Sequence, residues 1–119
     1  MYAILSETQG SFVALRLSGK LDKSDYEAIV PLLKERIVAH GKISLCWEMH
    51  DFEGWTPGGL WADTKFDIHH ANDFTRIAVV GEKKWHEWMA SIMKPFTSAE
   101  VKYFESNGRD KAIAWARGS

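Results

Sequence analysis

The sequence predicts a single α/β domain: a mainly parallel five-stranded sheet in the order ββαβαβαβα, with its helices mostly on one face. Three observations predict it. Short β-rich runs alternate with amphipathic helical stretches after an opening pair of strands, which demands parallel crossovers. The second and third strands alternate apolar and polar residues instead of running continuously apolar, so one sheet face is expected to be covered and the other partly wet. The chain has 119 residues, close to the commonest domain size and long enough for one proper core.

Each element follows from local chemistry. Residues 2–6 and 12–18 are β-rich runs around a turn containing Gly10, and they read as a hairpin ending at Gly19. Ser24 and Glu27 have capping-box spacing, and Tyr26, Ile29, Val30, Leu33 and Ile37 then recur on one helical face. Pro31 falls on the polar side of that helix, where it bends the rod; His40-Gly41 supplies the stop. Residues 43–49 form the clearest strand, with Ile43, Leu45, Trp47 and Met49 on one side and Ser44, Cys46 and Glu48 on the other. A loop is expected from Asp51, and a second helix from Thr56-Pro57 to about His70. Residues 76–80 are a strand apolar enough to be covered on both sides. A third helix spans 83–93, a fifth strand 101–104, and a final helix is capped by Ser106 or Asn107.

Composition excludes several functions. Fifteen basic against sixteen acidic side chains give a net charge of −1, which leaves no basic excess for nucleic acid. The single cysteine, Cys46, forbids an internal disulfide and fits a cytoplasmic setting. No signal peptide and no bilayer-spanning run is visible. His40, His50, His69, His70 and His86 lack zinc-ligand spacing, so neither a metal nor any other cofactor is expected. No nucleophile–base pair or carboxylate pair is readable, so the chain is not expected to be an enzyme. Glu48 is read as the ion-pair partner of Arg16 on the neighbouring strand.

The stretch EGWTPGGLW, residues 53–61, carries the functional question. Its glycines precede a helix N-terminus, but neither GxGxxG nor a Lys-Ser/Thr pair follows, so a phosphate cradle is not indicated. The aromatic content says more. Six tryptophans occur in the chain, and in the third helix Trp85, Trp88, Met89, Ile92, Met93 and Phe96 form a stripe about 140° wide, more than a core-facing helix needs. The second helix adds Leu60, Trp61, Phe66 and Ile68, with Trp55 just ahead of it. The surplus points to an apolar site walled by Trp55, Leu60, Trp61, Trp85, Trp88, Met89, Ile92 and Met93. Gly54, Gly58 and Gly59 would hinge that wall. A densely filled core, a membrane-touching face and a homodimer seam are the other ways to absorb the same side chains.

The segments KLDKSDYEAIVPLL, RIAVVGEKKWHEWM and VKYF followed by KAIAWA, in this element order, resemble the SpoIIAA-like bacterial proteins, small relatives of the STAS domain whose fold is also that of CRAL-TRIO lipid-binding domains. The resemblance covers essentially the whole chain and implies a right-handed superhelix of βα units. Its STAS side implies a regulatory protein partner docking at residues 51–56, through Asp51, Glu53 and Thr56. Anti-sigma antagonists carry a phosphorylatable serine in that loop; here Glu53 stands at roughly its place, and Thr56 is best explained as a helix N-cap. The CRAL-TRIO side implies an apolar or lipid-like ligand between helices and sheet. From the residues themselves, the Trp- and Met-rich second and third helices are also expected to rest on the inner membrane face. The leading expectation is therefore a non-enzymatic binding module, and the alternative a STAS-type interaction domain.

Overall fold

The computed structural model describes residues 1–70 and 72–118, excluding the side chains of residues 64, 66–70, 93 and 96. Met93 and Phe96 of the expected stripe, Phe66 and Ile68 of the second helix, and the adjacent His69 and His70 therefore lie outside the described side chains. The strands are β1 (Tyr2–Ile4), β2 (Phe12–Leu21), β3 (Ile43–Trp55), β4 (Phe74–Gly81) and β5 (Glu100–Glu105). The helices are α1 (Lys23–His40), α2 (Pro57–His70), α3 (Lys84–Met93) and α4 (Arg109–Arg117). The element order is the expected one.

All five strands form one sheet in sequential order, with β1 antiparallel to β2 and the remaining pairs parallel. A sheet that always grows in one direction puts successive crossovers of one hand on one face. Accordingly α1, α2 and α3 share a face, over Val13, Leu15, Leu17, Ile43, Leu45, Ile77 and Val79. The fourth helix is not a crossover, and it takes the other face. There Ala112, Ile113 and Ala116 press on Phe12, Ala14, Cys46, Ala78 and Val80. That second face is drier than the strand alternation implied. Small side chains at Ala14, Cys46 and Ala78 let a short helix lie close and cover it. As expected, the apolar run of β4 is buried on both sides.

Local differences from the sequence reading have identifiable causes. Gly19 does not end β2; it takes a positive φ of 60° and sits in an irregular register through which pairing continues to Leu21. The capping box of α1 sits two residues earlier than expected, with Asp22 and Asp25 exchanging backbone N–H bonds at 3.0 Å each. Pro31 lies on the exposed side of α1, and Gly41 closes the helix with φ 81°. At α4 neither Ser106 nor Asn107 caps: a 3-10 turn, Ser106–Gly108, precedes the helix, and no side-chain cap bond is made. The largest difference is β3. Residues 51–55 continue the strand instead of forming a loop, with Asp51 at φ 53° and Gly54 at φ 111° absorbing the bends.

Candidate functional site

Extended to Trp55, β3 outruns β4. Pairing with β4 ends at Glu48 opposite Val80, whereas pairing with β2 continues to Trp55 opposite Leu21. The far half of β3 thus has one neighbour strand, and side chains stand in on the other side. The Glu82 carboxylate accepts the Asp51 N–H at 2.8 Å, and His50 lies 3.8 Å from the second Glu82 oxygen.

Phe52, fully buried at this strand end, is the hub of an aromatic cluster. Trp55 meets it edge-on at 5.2 Å between centroids, and Trp85 of α3 stacks on it at 5.9 Å. The His86 ring packs against both, 4.2 Å from Trp85 and 5.9 Å from Phe52. A polar chain ties the cluster to the helices. Trp55 Nε1 donates to the Tyr26 hydroxyl at 2.8 Å, and that hydroxyl donates to Asp63 of α2, also at 2.8 Å. One tyrosine thereby fixes β3, α1 and α2 together, and α2 packs chiefly on α1.

The start of α2 is pinned as well. Thr56 is its N-cap, as expected: its hydroxyl accepts the Gly59 N–H at 3.1 Å, and its own N–H donates to the Leu21 carbonyl at 2.9 Å. The three glycines of the expected hinge occupy different settings. Gly54 is in the strand with a backbone favouring glycine, and Gly58 is in the first helical turn. Gly59 approaches β2 so closely that an added Cβ would sit 2.1 Å from the Leu21 carbonyl oxygen.

The apolar stripe of α3 does not coincide with its buried face. His86 and Ala90 face the sheet, buried, while Trp85 and Met89 line the boundary, half-buried against the main core. At 100° per residue this turns Trp88 and Ile92 away from the core, and they stand 65% and 43% exposed. In α2, Leu60 and Trp61 are exposed too, Trp61 by 72%. Of the eight residues expected to wall an apolar site, Trp55, Trp85 and Met89 join the Phe52 cluster, and Leu60, Trp61, Trp88 and Ile92 face outward. Met93 is outside the described side chains. In the expected docking segment, Asp51 and Glu53 are exposed and Thr56 is half-buried. In the sequence Tyr26 reads only as part of a helical core face and His86 only as a histidine without zinc-ligand spacing, while Phe52 is hidden because residues 51–55 read as a loop.

On the opposite face, Glu48 accepts from Arg16 at 3.3 Å, the expected cross-strand pair, and from Arg109 Nε at 2.9 Å. Arg109 also reaches Glu7 at 3.0 Å. The Glu7 backbone N–H and then Arg109 hold the Glu7 carboxyl below its usual range. Four alternating charges thus fasten α4 to the sheet. Burial, with Glu48 adding to it, pushes the Cys46 thiol up to about 12, so no nucleophilic thiolate is available there. Among the described residues no group of three His, Cys, Asp or Glu side chains is placed to hold a metal, and no helix is long and apolar enough to cross a membrane.

Comparison with known proteins agrees with the geometry. The SpoIIAA-like family profile matches residues 12–117. The crystal structure of an uncharacterised protein of the DUF3478 family from Shewanella loihica PV-4, described as having a SpoIIAA-like fold, superimposes with a TM-score of 0.79 at 28% identity. The match covers 97% of this chain and 93% of that one. No curated protein matches.

Proposed function

The chain belongs to the SpoIIAA-like family, and from that premise we propose that it is a non-catalytic binding module for a small apolar or lipid-like ligand. The supporting observation is the outward apolar edge of α3 and the start of α2: Trp88, Ile92, Leu60 and Trp61 are exposed beside a half-buried aromatic cluster. Isolated exposed apolar residues are ordinary, but two tryptophans standing out from two crossover helices on the same sheet face are a strong invitation to a partner. Lys84, one turn before Trp88, adds a cation suited to a carboxylate or anionic headgroup. The chain works in the cytoplasm, at times against the inner membrane face.

The test is tryptophan emission during titration with a long-chain fatty acid and, in parallel, anionic vesicles. A saturable blue shift is expected. Burying an exposed tryptophan contributes about 2 kcal/mol, so Trp88→Ala or Trp61→Ala should weaken binding roughly thirty-fold in a folded protein. A flat response in the parent protein sinks the reading. Response to the fatty acid alone would point to a pocket, and response to vesicles alone to a surface.

A second reading, a STAS-type regulatory contact, is favoured by the exposed Asp51 and Glu53 carboxylates where β3 has outrun β4. The engaged Thr56 hydroxyl argues for a constitutive surface over one switched by phosphorylation. Capture of one defined partner that Glu53→Lys abolishes would favour it; capture unaffected by that change would not. Sedimentation at several concentrations separates both readings from self-association through the same apolar edge.

A further inference from the structure

His86 is wholly buried, yet it is neither paired with a carboxylate nor set against water. Its Nδ1 accepts the Glu82 backbone N–H at 3.1 Å, which places the ring proton on Nε2. That Nε2 has no hydrogen-bond partner of acceptable geometry. The ring is wedged between Trp85, Phe52 and the backbone of Gly81, where an added Cβ would lie 2.6 Å from the His86 Cβ. Such a residue has one comfortable protonation state. A second proton would have to go on Nδ1, cancelling the bond that holds the turn into α3 and placing a charge where no water reaches it.

We propose that His86 is a proton-operated latch. Neutral, it fastens the start of α3 and Trp85 onto Phe52; protonated, it releases them and opens the aromatic cluster. The latch stands on its own geometry, and the binding-module reading supplies only what opening would serve, namely ligand entry or discharge in mild acid.

The surrounding charges set the direction. From the turn before α3 come Glu82 and Lys83; β5 contributes Tyr103, and β3 presents Phe52, whose backbone pulls weakly toward the charged ring. Burial is the largest effect and Lys83 the next, and together they hold the imidazole below its ordinary range against the opposing pull of Glu82. With the folded-state value depressed, the latch is fully closed above the unfolded value of about 6.5. Its grip is then lost as pH falls from there toward the folded-state value. Over that window the opening equilibrium rises by up to about tenfold per pH unit. His50, exposed and 3.8 Å from Glu82, is the other imidazole beside this turn and must be controlled.

The experiment follows the full chain without ligand from about pH 7.5 to about pH 4.5. It combines ring NMR of His86, tryptophan emission and far-ultraviolet circular dichroism. An Nε2–H tautomer at neutral pH is expected, then ring protonation with a red shift in emission while helicity persists. His50→Gln should keep the transition and His86→Gln should lose it. A ring still neutral at about pH 4.5, or a transition surviving in folded His86→Gln, overturns the latch. If His86→Gln does not fold, the ring titration of the parent protein decides alone. Repeating the fatty-acid titration at the two extremes separates the claims. A working latch with no ligand response leaves the latch and removes the binding module, whereas pH-independent ligand uptake with an untitrated ring does the reverse.

Discussion

Two adjacent glycines should respond to the same substitution with opposite signs. In α2, alanine is favoured over glycine by up to about 1 kcal/mol, so propensity alone makes Gly58→Ala and Gly59→Ala equally stabilising. Space decides otherwise. At Gly58 an added Cβ meets only the Lys23 Cβ at 3.6 Å, an ordinary contact. At Gly59 it would stand 2.1 Å from the Leu21 carbonyl oxygen, 2.8 Å from its carbon and 3.0 Å from the Asp22 Cα. These are backbone atoms and cannot rotate away, so the helix must back off by about 1 Å or more. The same Leu21 carbonyl accepts the Thr56 N–H, so backing off weakens a second contact. Overpacking costs about 1–3 kcal/mol and a strained hydrogen bond about 1 kcal/mol more, giving a net loss of about 1–3 kcal/mol after the propensity gain. At about 4 °C per kcal/mol for a domain of this size, Gly59→Ala should lower Tm by about 4–12 °C, and Gly58→Ala should raise it by about 2–4 °C. Reversible thermal denaturation with a urea cross-check measures both. A Gly59→Ala protein as stable as its parent, or two variants moving together, refutes the close-packing argument. If the glycines act instead as hinges, both variants should alter ligand uptake with little change in Tm.

Other expectations rest on single contacts. Tyr26→Phe removes the hydroxyl linking Trp55 to Asp63 and should cost about 1–2 kcal/mol in urea unfolding, with a change in Trp55 emission; an unchanged midpoint would mean the chain contributes nothing net. Arg109→Met leaves Glu48 buried with only the partly exposed Arg16, and should cost about 2–4 kcal/mol. Adding Glu48→Gln should recover about 1 kcal/mol or more of that loss, and strict additivity would contradict the coupling. Cys46 should resist a thiol reagent at about pH 8 until the protein is denatured; rapid labelling of the native state would contradict its place under α4.

The legible features of the sequence are those with a period or a pair. The 3.6-residue recurrence of Tyr26, Ile29 and Leu33 and the two-residue alternation of Val13, Leu15 and Leu17 both survive folding, as does the Arg16–Glu48 register. Thr56-Pro57 marks its helix start because capping chemistry is local. What was hidden is set by contacts distant in sequence. The strand continues through Asp51 and Gly54 because β2 extends alongside it, although both residues look like turn formers. The α3 stripe suggests that Trp88 sits with Trp85, but the sheet claims the His86–Ala90 line instead, with Gly81 giving the His86 ring room beside the strand. Arg109 gave no sign of reaching Glu7, 102 residues away.

The one-directional order of the sheet has a consequence for biosynthesis. Each parallel strand docks on the strand made just before it, so the three-helix face can assemble stepwise as the polypeptide is synthesised. The face lined by Phe12, Ala14, Cys46, Ala78 and Val80 has no such schedule, because its cover, α4, is made after every strand it shields. Until residues 109–117 emerge, a nascent chain carries an uncovered apolar sheet, the kind of surface that holdase chaperones grip and that seeds aggregation. A premature stop at residue 108 would remove a small fraction of the mass but leave Leu5 and Phe104 alone over a face that α4 otherwise covers.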